Sequence, residues 1–189
     1  MEKTIPQPSV VFQKIFTELS TLFSEIDEAS LAPFIQALQR GRRLFFYGAG
    51  RSGLAVKMAA MRFMHLGLEA HTVGDVTCPA IGEGDVLLVA SGSGRTPGIL
   101  SAAQKAQAVG AVVLAIVADA RSPLADYAQQ QIVLHAAVKD AHQRTVSVQY
   151  AGSLFEQATV LLLDALFHLL WKMSAQPAEV LWARHANME

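Results

Sequence analysis

A single cysteine, Cys78, stands in 189 residues, so no disulfide can close within the chain, and a reducing cytosol is the compartment this composition fits. Charge is scarce too. Asp, Glu, Lys and Arg make up only 16% of the residues and sum to a net charge of −1. No Lys/Arg cluster offers the counter-charge that a nucleic-acid backbone demands, which argues against such a partner. The opening MEKTIPQPSV has no basic-then-apolar leader pattern. The most apolar stretch, residues 154–173, is interrupted by Glu156, Asp164, His168 and Lys172. Those groups are costly in lipid, so the stretch reads as a buried helix and not as a membrane span.

What is abundant is apolar side chain, at 52%. A chain of this length suits one domain, and so much apolar surface implies burial against copies of itself. Residues 9–27 carry Val11, Ile15, Leu19, Leu22 and Ile26 at helical spacing, and Ser30 is placed to cap a second helix that Gly41 ends. From residue 44 short apolar runs alternate with helical patterns. Strands are expected at 44–48, 69–73, 85–91, 111–119 and 131–135. Helices are expected after Ser52 or Gly53 up to Gly67, from Thr96-Pro97 to Gly110, briefly after Ser122-Pro123, and from Ser153 to Met173. Strands apolar throughout and separated by helices imply a parallel sheet covered on both faces, a three-layer αβα sandwich with flavodoxin-like strand order 2-1-3-4-5. The expected organisation is a single domain over 1–189. It comprises N-terminal helices over 1–41, sheet and covering helices over 42–175, and a polar tail over 176–189.

Ligands of such sheets bind beyond the carboxyl ends of the strands, where the chain direction reverses. The two loops flanking that point are Gly48-Ala49-Gly50-Arg51-Ser52-Gly53 and Ser91-Gly92-Ser93-Gly94-Arg95-Thr96. Both lead into helix N-termini, where unpaired N–H groups and the helix dipole favour an anion. The first also fits a dinucleotide fingerprint, with Asp75 where a ribose-binding acid is sought. The hydroxyls of Ser91, Ser93 and Thr96 instead suit the three terminal oxygens of a phosphate monoester, and no second domain brings a substrate to a nicotinamide.

The pair GAGRSG and SGSGRT resembles the sugar isomerase (SIS) domain. GAGRSGLAVKMAAMRFMHLG (48–67), SLFEQA (153–158) and the terminal RHANME (184–189) are similar to the 6-phospho-3-hexuloisomerase family of the ribulose monophosphate pathway of formaldehyde fixation. The family's terminal motif more often has Leu where this chain has Met188. The resemblance implies an isomerase converting a hex-3-ulose 6-phosphate into fructose 6-phosphate through an enediol, with no redox cofactor and no metal. It also implies a homotetramer with sites shared between subunits. Two other readings stand beside it, a non-catalytic sugar-phosphate sensor and an isomerase of another sugar phosphate such as a pentose 5-phosphate.

On that resemblance Glu156 is the candidate base, although Ser153-x-x-Glu156 is equally a capping box that would tie the carboxylate to backbone N–H groups. His65 is a candidate acid or substrate contact, or simply a charge at a helix C-terminus. His185 is a candidate proton shuttle delivered to a neighbouring subunit's site, or part of a frayed end. Gly50, Arg51 and Ser52 of the first loop, with Ser91, Gly92, Ser93 and Thr96 of the second, form the expected substrate and phosphate site. Arg95 reads as solvated. Asp75, Thr77 and Cys78 are placed to line the cleft, Cys78 as a small apolar group, and His71, His135, His142 and His168 as structural or exposed. The long helix is apolar on nearly every side, so Leu162, Leu166 and Leu169 are expected to meet another chain.

Overall fold

The computed structural model describes residues 7–136 and 147–188; His142 lies outside them. Two helices come first, α1 (Pro8–Ser24) and α2 (Glu28–Arg40). The sheet follows as β1 (Leu44–Gly48), β2 (Ala70–Thr72), β3 (Val86–Ser91), β4 (Val112–Val117) and β5 (Gln130–Val133). Between strands lie α3 (Gly50–His65), α4 (Pro97–Ala108) and a 3-10 turn (Pro123–Asp126), and the chain closes with α5 (Ser153–Ser174) and α6 (Ala178–Trp182). All four strand pairings are parallel, in the order β2-β1-β3-β4-β5.

Alternation along the strands divides the core in two. Leu44, Phe46, Leu88, Ala90, Leu114 and Ile116 face α2, α3 and α5. Phe45, Leu87, Val89, Val113, Ala115 and Val117 face α4 and the 3-10 turn. The β2–β3 connection contains no helix; Val73, Cys78 and Ile81 from it cover part of the second face. Beneath them a cavity of about 320 Å³ is lined by Tyr47, Cys78 and Lys105 among others.

Several local details differ from the sequence expectation. Asp27, not Ser30, caps α2: its carboxylate accepts from the Ala29 N–H (3.0 Å), while the Ser30 hydroxyl donates to the Asp27 carbonyl (2.6 Å). An ionised oxygen makes the stronger acceptor, and it starts the helix three residues earlier. α3 begins at Gly50, ahead of Ser52 and Gly53. The polar tail contains α6. Leu162 and Leu166 are core residues; Leu161, Leu169 and Met173 are the exposed apolar residues of α5. Half of the most apolar window of α5 is buried within the protein. Val11, expected to join the α1 stripe, is exposed together with Phe12 and Phe16 (59% and 66%), and burial begins at Leu19.

The amino edge of the sheet is pinned by Asp85, whose side chain is fully buried. It accepts hydrogen bonds from Arg43 (2.6 Å), Arg42 (3.2 Å) and the Gly82 N–H (2.8 Å). Burial pushes its carboxyl up, but these donors outweigh that and hold it far below the usual carboxylate range.

Candidate functional site

At the carboxyl edge, β1 runs straight into α3, and backbone meets backbone. A Cβ on Gly48 would sit 2.9 Å from the Gly53 nitrogen, and one on Gly53 would sit 2.6 Å from the Gly48 carbonyl oxygen. The spacing of glycines in GAGRSG is therefore a packing requirement between strand end and first helical turn. Gly50, with φ +57°, turns the chain between them.

The second loop is held from below. Its Gly92 carbonyl accepts from the Ala118 N–H (3.1 Å) and its Gly94 carbonyl from the Leu124 N–H (3.2 Å). Gly94 has φ +58°, and a side chain there would collide with the Ser122 hydroxyl, itself buried without a hydrogen-bond partner among the described residues. Ser91 and Thr96 share a hydroxyl–hydroxyl hydrogen bond (3.2 Å), and Ser93 Oγ accepts from the Arg95 N–H (3.2 Å). Thr96 sits at the N-cap of α4 but makes no side-chain cap bond, which leaves its hydroxyl in the loop. Three hydroxyls thus gather at a helix N-terminus, the arrangement suited to a terminal phosphate. Arg95 is exposed.

The first turn of α5 joins the two loops. The Phe155 ring lies 3.4 Å from where a Gly92 Cβ would be, and Glu156 Oε2 lies 2.9 Å from Arg51 Nε. Glu156 is only 5% exposed, whereas Arg51 stands mostly in solvent. The capping box is not made as the spacing suggested. Gly152 is the N-cap, so Ser153 is already helical and its hydroxyl donates to the Tyr150 carbonyl (2.7 Å). A one-residue shift in helix start removes the serine half of the box. Ser52, in the first turn of α3, is buried.

His65 and His185 are not at this crevice. α3 returns antiparallel to β1, which carries His65 roughly 22 Å from Gly50 at 1.5 Å rise per residue. There its ring stacks on His185, centroids 3.9 Å apart and planes 13° from parallel. His65 is 4% exposed and its Nδ1 has no hydrogen-bond partner among the described residues. Burial first, then the proximity of His185 and Arg62, push its pKa down. The structure thus brings the candidate histidines to each other and away from their own loops.

Of the remaining candidates, Asp75 pairs with Lys57 (3.2 Å), tying the loop after β2 to α3. Cys78 is half-buried, and burial followed by Asp75 pushes its thiol up, consistent with a packing role. His71 contacts Glu69 (3.0 Å), His168 meets Trp171 edge-on, and His135 is exposed. Sequence reading missed the Lys57 ion pair, the Ser122 hydroxyl beneath Gly94 and the contact of Phe155 with Gly92. Each depends on a partner distant in the chain, so no local pattern signals it.

A family model described as "SIS domain" matches residues 37–168. The 3-hexulose-6-phosphate isomerase of Mycobacterium gastri is 45% identical over 172 residues, covering 91% of this chain and 86% of that protein. The protein of the same description from Bacillus subtilis (strain 168) is 33% identical over 177 residues, covering 93% and 96%. Among solved structures, a hypothetical protein of Methanococcus jannaschii, inferred to be a 3-hexulose-6-phosphate isomerase, superposes with TM-score 0.80 at 27% identity. The match covers 95% of this chain and 99% of that one.

Proposed function

The chain belongs to the SIS domain family, and from that membership we propose that it isomerises D-arabino-hex-3-ulose 6-phosphate to D-fructose 6-phosphate, as a cytoplasmic enzyme of the ribulose monophosphate pathway. The observation that carries the reading is a buried carboxylate, Glu156, set beside two phosphate-type loops and held by Arg51. The phosphate binds among Ser91, Gly92, Ser93 and Thr96, with Gly50, Arg51 and Ser52 closing the other side. Glu156 removes the C2 proton, the electrons shift to an enediol across C2 and C3, and the proton returns to C3. A second proton passes from O2 to O3. Electrons and protons balance within the sugar, so the step asks for no redox cofactor and no metal.

The exposed Leu54, Met58 and Met61 on α3 and Leu161, Leu169 and Met173 on α5 form the surfaces for a homotetramer. Assembly would bring the His65–His185 end of one subunit to the crevice of a neighbour, where an imidazole serves the O2-to-O3 transfer. The test is isomerisation in heavy water across a panel of ketose phosphates. Fructose 6-phosphate carrying deuterium at C3 is the expected product, and inertness toward the hexulose phosphate would overturn the reading. Glu156→Gln should fold normally and lose roughly 10²-fold in turnover or more.

A further inference from the structure

The end of α3 is closed by side chains from more than a hundred residues away. Arg184 Nη1 donates to the His65 carbonyl (2.8 Å) and to Gln176 Oε1 (3.1 Å). Gln176 Nε2 in turn donates to the Leu66 carbonyl (3.2 Å), and the Gln176 carbonyl accepts from the Trp171 indole (2.7 Å). Two of the carbonyls that a helix C-terminus leaves unpaired are thus satisfied, and a fixed positive charge sits at the negative end of the dipole. Gly67, φ +95°, makes room: a Cβ there would lie 2.9 Å from the guanidinium. The next residue after Arg184 is His185, stacked on His65.

We infer that Arg184 is a positioning residue, which grips the end of α3 and so fixes the His65–His185 stack without itself meeting substrate. The inference rests on the proposed role of those histidines. Both bonds leave one nitrogen, Nη1, whose two N–H groups are held in the guanidinium plane; an ammonium would keep the charge and the donors but not that fixed planar direction. A cavity of about 190 Å³ beside the stack is lined by Arg62, Phe167, Trp171, Leu181 and Trp182. The titratable groups that act on His65 are His185 on the tail and Arg62 on α3, while Arg184 holds the His65 carbonyl; Lys172 and His168 on α5 lie against Trp171, another wall of the same cavity.

The experiment compares Arg184→Gln and Arg184→Lys with the parent by steady-state kinetics, thermal melting and NMR of histidine-labelled protein. In Arg184→Gln, kcat should fall roughly 10- to 100-fold while KM stays within about twofold. The imidazole signals of His65 and His185 should lose their mutual ring-current shifts, and His65 should titrate closer to its ordinary range. Arg184→Lys should recover part of both. If the Gln variant unfolds, the Lys variant carries the same comparison. An unchanged kcat, or an unchanged pair of imidazole signals in a folded variant, overturns the inference. A parent inactive on the hexulose phosphate sinks the functional reading instead, and the NMR arm still decides whether Arg184 sets the stack.

Discussion

The two ends of the sheet are built by different means. The carboxyl edge is mostly backbone: short loops turn directly from strand into helix, with glycines where strand and helix touch and hydroxyls at the α4 N-terminus. The amino edge is mostly side chain: Arg42 and Arg43 around Asp85, and Arg184 with Gln176 around the end of α3. Each loop spans six consecutive residues, while 119 residues separate Arg184 from His65. An anion site made of N–H groups needs rigid geometry over a few ångströms, which a short loop supplies. Side chains drawn from distant segments hold an element in place but give way to substitution more readily.

The largest expected effect would join the two ends. Deleting residues 184–189 should remove most activity, as should Glu156→Gln, while a mixture that exchanges subunits regains part of it. Full activity in the truncated protein would separate the ends and refute a shared site. No recovery, with exchange demonstrated, would place His185 outside a neighbour's catalysis.

The same substitution at each edge sharpens the contrast. Gly94→Ala meets a buried hydroxyl at positive φ and should cost roughly 3 kcal/mol in denaturant unfolding. Gly67→Ala, also at positive φ, meets the end of a long side chain, Arg184, that can swing aside at the loss of its hydrogen bonds, so about 1–2 kcal/mol is expected, together with loss of the histidine stack. Equal costs would show that the amino edge is as rigid as the loops.

A smaller change is Ser93→Ala. Losing one donor to a charged phosphate should weaken sugar-phosphate binding by about 1.5–3 kcal/mol with little change in melting temperature. Calorimetry showing undiminished affinity would remove the hydroxyl from the site.

The mildest probe is acid. His65 is held below its ordinary value of 6.5, so the unfolded chain binds its proton more readily than the folded one does. Its contribution to stability is therefore present above pH 6.5 and declines as pH falls below that value. Hydrogen exchange at pH 5 to 6 should loosen the end of α3 before the loops. Asp85, held far lower, should keep its side of the same edge intact until pH drops below 3.8. Loops that open first would reverse the order of the two ends.

The strands, the two loops and the helices α3, α4 and α5 were legible because each is written locally, as apolar runs between glycines and capping residues, whereas the order β2-β1-β3-β4-β5 came from the common doubly wound pattern. The start of α2 was less so: Asp27 and Ser30 are both good caps, and only the folded geometry shows the carboxylate accepting and the hydroxyl donating backward. Glu156 illustrates the same limit. Its spacing from Ser153 serves a capping box or an active carboxylate alike, and the turn through Ala151 (φ +51°) starts α5 at Ser153 with Gly152 as cap. The short α6 escaped notice because five residues carry too little periodicity to register.

By itself, then, the sequence determined the strands and helices of the layered α/β fold and the two hydroxyl-bearing loops between them, each of which depends on neighbours a few residues apart. Only tertiary structure decided that Glu156 faces Arg51, that Leu162 and Leu166 are core, and that Arg184 clasps α3 with His185 laid on His65. The reason is physical. A turn or cap is set by local backbone geometry, whereas an ion pair, a buried face or a ring stack exists only once segments a hundred residues apart have packed.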